Sequence, residues 1–276
     1  MNRIDLALDL GATRPFQLLH ASDTHLCLAD ERDNERKRTL AQKRARVFPD
    51  AEANLEEIRR VSEAYRCPIA YTGDLIDFVS FANLDAARRF TEACDVVMAA
   101  GNHEFSQYVG EAFEDRAYRE QSLDRVQGAF KNDIRAFARV INGVKLIALD
   151  NSYYLFEKEQ LAFLRDACKE GLPVILLLHT PLYTPALHRF MIEERKNPCG
   201  YLCGSPEELI ASYPPDRQRQ QRPDDCTLET IAFIKGCACI RCILSGHIHT
   251  SVASAVRPDL PQYAIGLNEY AMVNIE

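Results

Sequence analysis

A chain of 276 residues, 47% hydrophobic and 26% charged, can bury a sizeable core, and this composition excludes the disordered and fibrous classes. The formal net charge of -7 argues against a general electrostatic grip on nucleic acid, which needs a basic face or stripe. The first 20 residues carry too short and too interrupted an apolar segment for a signal peptide, and no later run has the length of a membrane span, so a cytoplasmic protein without a membrane partner is expected.

The first predicted strand covers residues 16–22 and runs straight into Asp23-Thr24-His25. Residues 29–50 are dense in charge and read as a solvated helix or loop rather than a phosphate-binding patch. Apolar residues at three- and four-residue steps predict a helix over 50–65. A strand over 67–72 then leads into Gly73-Asp74, with Asp77 three residues on. After a helix over 83–94, the strand 95–100 opens into Gly101-Asn102-His103-Glu104.

The strand 144–150 ends in Asp150, expected no closer to a site than its rim, and a helix follows over 157–171. The strand 173–178 is followed by His179. Residues 213–226, rich in Pro, charge and amides, read as an exposed, mobile insertion. The strand 239–245 exits into Gly246, His247 and His249, and three short strands within 251–276 close the domain. The alternation argues for an α/β architecture in one domain spanning 1–276, with 187–226 as a cap or insert over the site.

Five strand exits thus carry metal-ligand or proton-transfer side chains. In open α/β sheets ligands gather outside the carboxyl ends of the strands, so these exits can share one site. Five of the seven histidines occupy them, which leaves His20, read as a hydrogen-bonded core residue, and His188, read as an exposed loop residue. Carboxylates mixed with imidazoles suit divalent Mn, Fe or Zn, whereas oxygens alone would favour Mg or Ca. Glycines before Asp74, Asn102 and His247 are expected to let the backbone turn sharply.

The ten cysteines are expected to stay reduced. The spacings among Cys199, Cys203, Cys237, Cys239 and Cys242 match structural zinc sites only loosely, so buried free thiols are the expectation.

The ordered blocks D-x-H, G-D-x-x-D, G-N-H-E, H and G-H-x-H, running from Asp23 to His249, resemble those of the calcineurin-like metallophosphoesterase superfamily. The resemblance implies a four-layer αββα sandwich, two mixed β-sheets face to face with helices outside. It also implies two metal ions, Asp23, His25 and His249 holding one, Asn102, His179 and His247 the other, and Asp74 bridging them. His103 would assist the leaving oxygen, oriented by Asp77, while Glu104 braces its loop. The implied reaction is hydrolysis of a phosphodiester or phosphomonoester by metal-activated hydroxide, without an organic cofactor.

The stretches "GDLIDFV" and "HTP" fit the protein serine/threonine phosphatase branch poorly and look more like bacterial phosphodiesterases and phosphohydrolases. A small phosphodiester or nucleotide is the favoured substrate. The alternatives are a nuclease of the same superfamily, using the Arg-rich 32–46 segment, and a non-catalytic scaffold on the same fold.

Overall fold

A computed structural model of the chain describes residues 1–110 and 113–276. Its strands are β1 (Asn2–Leu8), β2 (Phe16–Ala21), β3 (Ile69–Tyr71), β4 (Val96–Met98), β5 (Ala136–Ile141), β6 (Val144–Leu149), β7 (Val174–Leu177), β8 (Ile240–Ser245), β9 (Val252–Arg257), β10 (Leu260–Ala264) and β11 (Glu269–Ile275). They form two mixed sheets, ordered β1-β11-β2-β3-β4 and β5-β6-β7-β8-β10-β9. Parallel pairing joins β2, β3 and β4 in the first sheet and β6, β7, β8 and β10 in the second.

The side-chain period of two explains the layering. Leu18 of β2, Ala70 of β3 and Val97 of β4 meet Leu146 and Ala148 of β6, Ile175 and Leu177 of β7 and Leu244 of β8 in a shared inner core. The alternate residues point outward under helices. Leu19, Ile69, Tyr71 and Met98 pack with residues of α2 (Ala51–Tyr65) and α3 (Phe81–Ala93). On the far side Ile147, Leu176 and Ile243 pack with residues of α6 (Lys158–Ala167) and α10 (Asp225–Gly236). Strands covered on both faces are mostly apolar, interrupted only by single polar residues such as His20, Lys145 and Arg241, which is why they stand out in the sequence as hydrophobic runs.

β1 and β5 were not expected, and both are edge strands. One face of β1 is open to solvent and β5 is only part-buried along its length, so Arg3 and Asp5 interrupt the first and Arg139 the second. The charged 29–50 segment contains α1 (Glu35–Arg44), capped by the Asn34 side chain, which accepts from the Lys37 N–H. Short helices α4 (Arg116–Glu120) and α5 (Leu123–Gln127) flank the first sheet's outer core, and the end of α7 (Pro185–Arg189), α8 (Glu207–Ile210) and α9 (Pro215–Gln221) lie within the 187–226 segment.

Within that segment, 213–226 is not the wholly exposed insertion expected, since it contains α9 and two buried side chains. Pro215 opens α9 at a position where a missing N–H costs nothing, Tyr213 packs with Cys199 and Ile210, and Gln221 is fully buried. Among the described residues no helix is long and apolar enough to cross a membrane.

Candidate metal centre

The candidate residues all follow carboxyl ends of strands: Asp23 and His25 after β2, Asp74 and Asp77 after β3, Asn102 and His103 after β4, His179 after β7, His247 and His249 after β8. Because β2, β3 and β4 run parallel, as do β7 and β8, these exits converge at one end of the two sheets. Five of the residues, Asp23, His25, Asp74, His247 and His249, adopt positive φ between 51° and 69°. Such backbone is uncommon for side chains other than glycine and persists only where surrounding contacts hold it.

Their side chains form two neighbouring groups. In one, His249 Nε2 lies 3.0 Å from His25 Nε2 and 3.4 Å from Asp23 Oδ1. In the other, His179 Nε2 lies 3.2 Å from Asn102 Oδ1 and 3.1 Å from His247 Nδ1. Asp74 Oδ2 stands between them, 3.6 Å from His25 Nε2 and 3.3 Å from His179 Nε2. Donor atoms of Asp23, His25, Asp74 and His249 lie within 4.8 Å of one another.

The outward-facing nitrogen of each inner imidazole is already engaged. His25 Nδ1 donates to Asp77 Oδ1 at 3.0 Å, and His179 Nδ1 donates to the Thr72 carbonyl at 2.7 Å. His247 Nε2 sits 2.7 Å from the Tyr154 hydroxyl. Each ring therefore keeps one nitrogen for the shared space, with its orientation set by a neighbour behind it, which is the arrangement histidine ligands of metals adopt. The donor set fits divalent cations: nitrogen and oxygen donors, buried negative charge, and no thiol among them.

Electrostatics tells the same story for the protein alone. Burial by itself would raise the Asp74 carboxyl, but the charges of His179 and His103 hold it well below the usual carboxylate range. Burial disfavours a charged His179, yet Asp74 raises it to about 9. Burial drives His247 down to about 3, and the charge of the adjacent His179 adds to the effect. Buried carboxylates here hold protons on imidazoles, and a bound cation would supply the same compensation.

Asp77 acts as a hub. Its Oδ1 lies 3.2 Å from His103 Nδ1, whose ring also donates to the Asp77 carbonyl at 2.8 Å. The side chain does not cap a helix, since Ser80 caps α3. Against the burial cost, Asp74 and Asp77 raise His103 to about 10. Glu104 is fully buried and accepts from the N–H groups of Asp74, Leu75, Ile76 and Gly101, so it ties the second exit loop to the third.

Only one of the three loop glycines needs its freedom to turn. Gly73 has φ +95°, and a Cβ there would also strike His179 Nδ1 and Gly101. Gly101 and Gly246 are required for space: a Cβ would run into the Asp74 carboxylate at the first and into Ser22 and the Asp23 carboxylate at the second.

Several residues at the site had no signal in the sequence. Arg44, at the end of α1, donates to both Asp77 oxygens, and Phe48 stacks on His25 with ring centroids 4.2 Å apart. Tyr154 belongs to a loop read only as connection. Asn151, not Asp150, supports the fourth exit: its Oδ1 accepts from the N–H groups of His179 and Thr180, whereas Asp150 pairs with buried Arg119. His20 is the core residue expected, 3.0 Å from Thr72 Oγ1. His188 is not an exposed loop residue; it is part-buried against Tyr213, 2.8 Å from its hydroxyl.

Above the two groups opens a cavity of about 710 Å³, whose lining includes Asn102, His103, Tyr154, His247 and, from the 187–226 segment, Arg195, Tyr201 and Arg217.

The family profile described as calcineurin-like phosphoesterase matches residues 16–251. No curated protein matches the chain by sequence. Among solved structures, a dimetal phosphatase from Danio rerio superposes with a TM-score of 0.50 at 14% identity, covering 91% of this chain and 87% of that one. A 5'-nucleotidase from Candida albicans gives 0.41 at 14% identity, with 91% of this chain covering 46% of its length. A phosphoesterase from E. coli gives 0.35 at 12% identity, covering 92% and 83%.

Proposed function

The chain belongs to the calcineurin-like phosphoesterase family, and from that premise we propose that it is a hydrolase of a small phosphodiester or nucleotide, working with two metal ions drawn from Mn, Fe and Zn. Asp23, His25 and His249 hold one ion, Asn102, His179 and His247 the other, and Asp74 both. The observation that carries this reading is the position of Asp74 Oδ2, within 3.6 Å of His25 Nε2 and 3.3 Å of His179 Nε2. When bound, the ions supply Lewis acidity and an activated water for attack at phosphorus.

The chain's own residues supply the rest. His103 lines the cavity with Nδ1 engaged by Asp77, which leaves Nε2 to carry a proton to the leaving oxygen. Asp77 positions both His103 and His25, and Glu104 fixes the loop that carries Asn102. Arg195, Arg217 and Tyr201 face the cavity and select the part of the substrate beyond the phosphate. On this reading 1–276 works as one catalytic domain, in the cytoplasm, with 187–226 as its cap.

A small substrate is favoured over extended nucleic acid. Within the Arg-rich 32–46 segment, Arg32 pairs with Asp30 and Asp85, and Arg44 is committed to Asp77. These two charges are already paired, Arg32 at the surface and Arg44 part-buried.

The test is hydrolysis of bis-nitrophenyl phosphate and nitrophenyl phosphate by the Mn-loaded protein, with Asp74→Asn as control. Activity that disappears in the variant supports the two-ion site, and the ratio of diester to monoester rates chooses between phosphodiesterase and phosphatase. Equal activity in wild type and Asp74→Asn sinks the proposal.

A further inference from the structure

At the opposite end of the second sheet three thiols meet. Cys168 caps the C-terminus of α6, Cys237 caps the C-terminus of α10, and Cys239 immediately precedes β8. Their Sγ atoms all lie within 4.8 Å of one another, and Cys237 and Cys239 approach to 3.2 Å. No disulfide joins them. The other cysteines of the loose zinc pattern lie elsewhere: Cys199 packs with Ile210 and Tyr213, Cys203 is buried under the loop after β7, and Cys242 lies in the inner core.

We propose that Cys168, Cys237 and Cys239 form a binding site for one thiophilic metal ion of the Zn(II) type, separate from the phosphoesterase centre. Zinc–sulfur bonds of about 2.3 Å in tetrahedral geometry place sulfurs about 3.8 Å apart, so the trio needs only small side-chain adjustments to close on an ion. Two helices of ten and twelve residues end on the site, and their C-terminal carbonyls favour a cation there. Three thiols without a carboxylate or imidazole partner select a soft ion over Mn or Mg.

Burial pushes the Cys168 and Cys239 thiols up, and the adjacent Cys237 pushes both further. Binding puts three thiolates on one divalent ion and releases to solvent whatever protons the thiols carry, and it involves no oxidant. A fourth position is left for solvent. β8 separates this site from the strand exit that carries His247 and His249, a run of six residues or roughly 20 Å, so the two sites do not share an ion.

The experiment is titration of the reduced, chelator-treated full chain with Co(II) as a spectroscopic probe, followed by competition with Zn(II). Near-ultraviolet thiolate-to-cobalt absorption, to which the sulfur-free phosphoesterase centre contributes nothing, should appear on titration and be bleached by Zn(II). It should persist in Asp74→Asn and in Cys226→Ser, a thiol outside the trio. Cys237→Ser and Cys239→Ser should each abolish it, and Cys168→Ser should weaken binding at least ten-fold, with unchanged circular dichroism showing that each variant is folded. Absence of the band in wild type, its survival in Cys237→Ser and Cys239→Ser, or conversion of the pair to a disulfide with no metal taken up would overturn the assignment. Because the phosphoesterase centre has no sulfur donor, hydrolysis and this band fail independently.

Discussion

Arg44 grips Asp77 with two parallel hydrogen bonds, Nε to Oδ2 at 2.6 Å and Nη2 to Oδ1 at 2.8 Å. The pair is part-buried and bidentate, the geometry in which an arginine–carboxylate contact is strongest. Asp77 in turn orders His25 and His103, so a residue from a charged surface helix reaches the centre of the site through one intermediary.

Removing that grip should loosen both imidazoles, the proposed ligand His25 among them, without replacing any proposed ligand. Arg44→Ala is expected to lower kcat by about 10- to 100-fold with little change in KM, in line with losses at residues that orient metal ligands. Arg44→Lys should recover part of the loss, since it restores charge without the fork. Steady-state kinetics with bis-nitrophenyl phosphate decides; a change confined to KM would place Arg44 in substrate binding instead.

Tyr154 makes a parallel case for His247. Its hydroxyl is the partner of Nε2, and its ring stands edge-on to the imidazole with centroids 5.3 Å apart. Tyr154→Phe keeps the ring and removes the hydrogen bond, so metal affinity should fall by about 10- to 100-fold while the fold is retained. Metal retention during dialysis against graded chelator measures it, and undiminished retention would leave the hydroxyl without a positioning role.

Gly73→Ala combines a disfavoured φ of +95° with collision against His179 and Gly101. We expect a stability loss of about 1 to 3 kcal/mol from the backbone alone, with the clash adding to it. Gly11, also at positive φ but with open space around its Cβ position, is the matched control. Urea unfolding compares the two, and similar small losses would mean that the loop yields easily.

His20 should leave a signature in acid. Burial outweighs the attraction of Asp23 and pushes its imidazole down to about 3 from an ordinary 6.5, so the folded protein keeps it neutral. The unfolded chain binds the proton more readily between those values, and stability is therefore lost as pH falls from about 6.5 toward 3. At pH 5 the loss from this one group is about 2 kcal/mol. Urea midpoints at pH 7 and pH 5 should converge in His20→Gln relative to wild type; identical pH slopes in both proteins would remove His20 as a source.

The legible parts of the molecule share a physical cause. A strand covered on both faces is apolar along most of its length, so β2, β6, β7 and β8 show themselves as hydrophobic runs. The residue at the exit of such a strand is placed by local chain geometry, and a functional side chain there keeps a fixed distance from its run. Asp23, Asp74, Asn102, His179 and His247 could thus be picked out one exit at a time, and the parallel sheets then bring them together.

What stayed hidden depends on contacts between distant parts of the chain. Arg44 meets Asp77 across 33 positions and Tyr154 meets His247 across 93. Cys239 and Cys168 approach across 71. No periodicity or spacing encodes such pairs, because each partner obeys the rules of its own helix, loop or strand. The edge strands β1 and β5 were obscured for a related reason, since a half-solvated strand tolerates the same polar residues as a loop. By itself, the sequence determined which strands are buried and which side chains leave them; the tertiary structure alone decided what stands behind those side chains, because orientation in a buried site is set by the second neighbour as much as by the first.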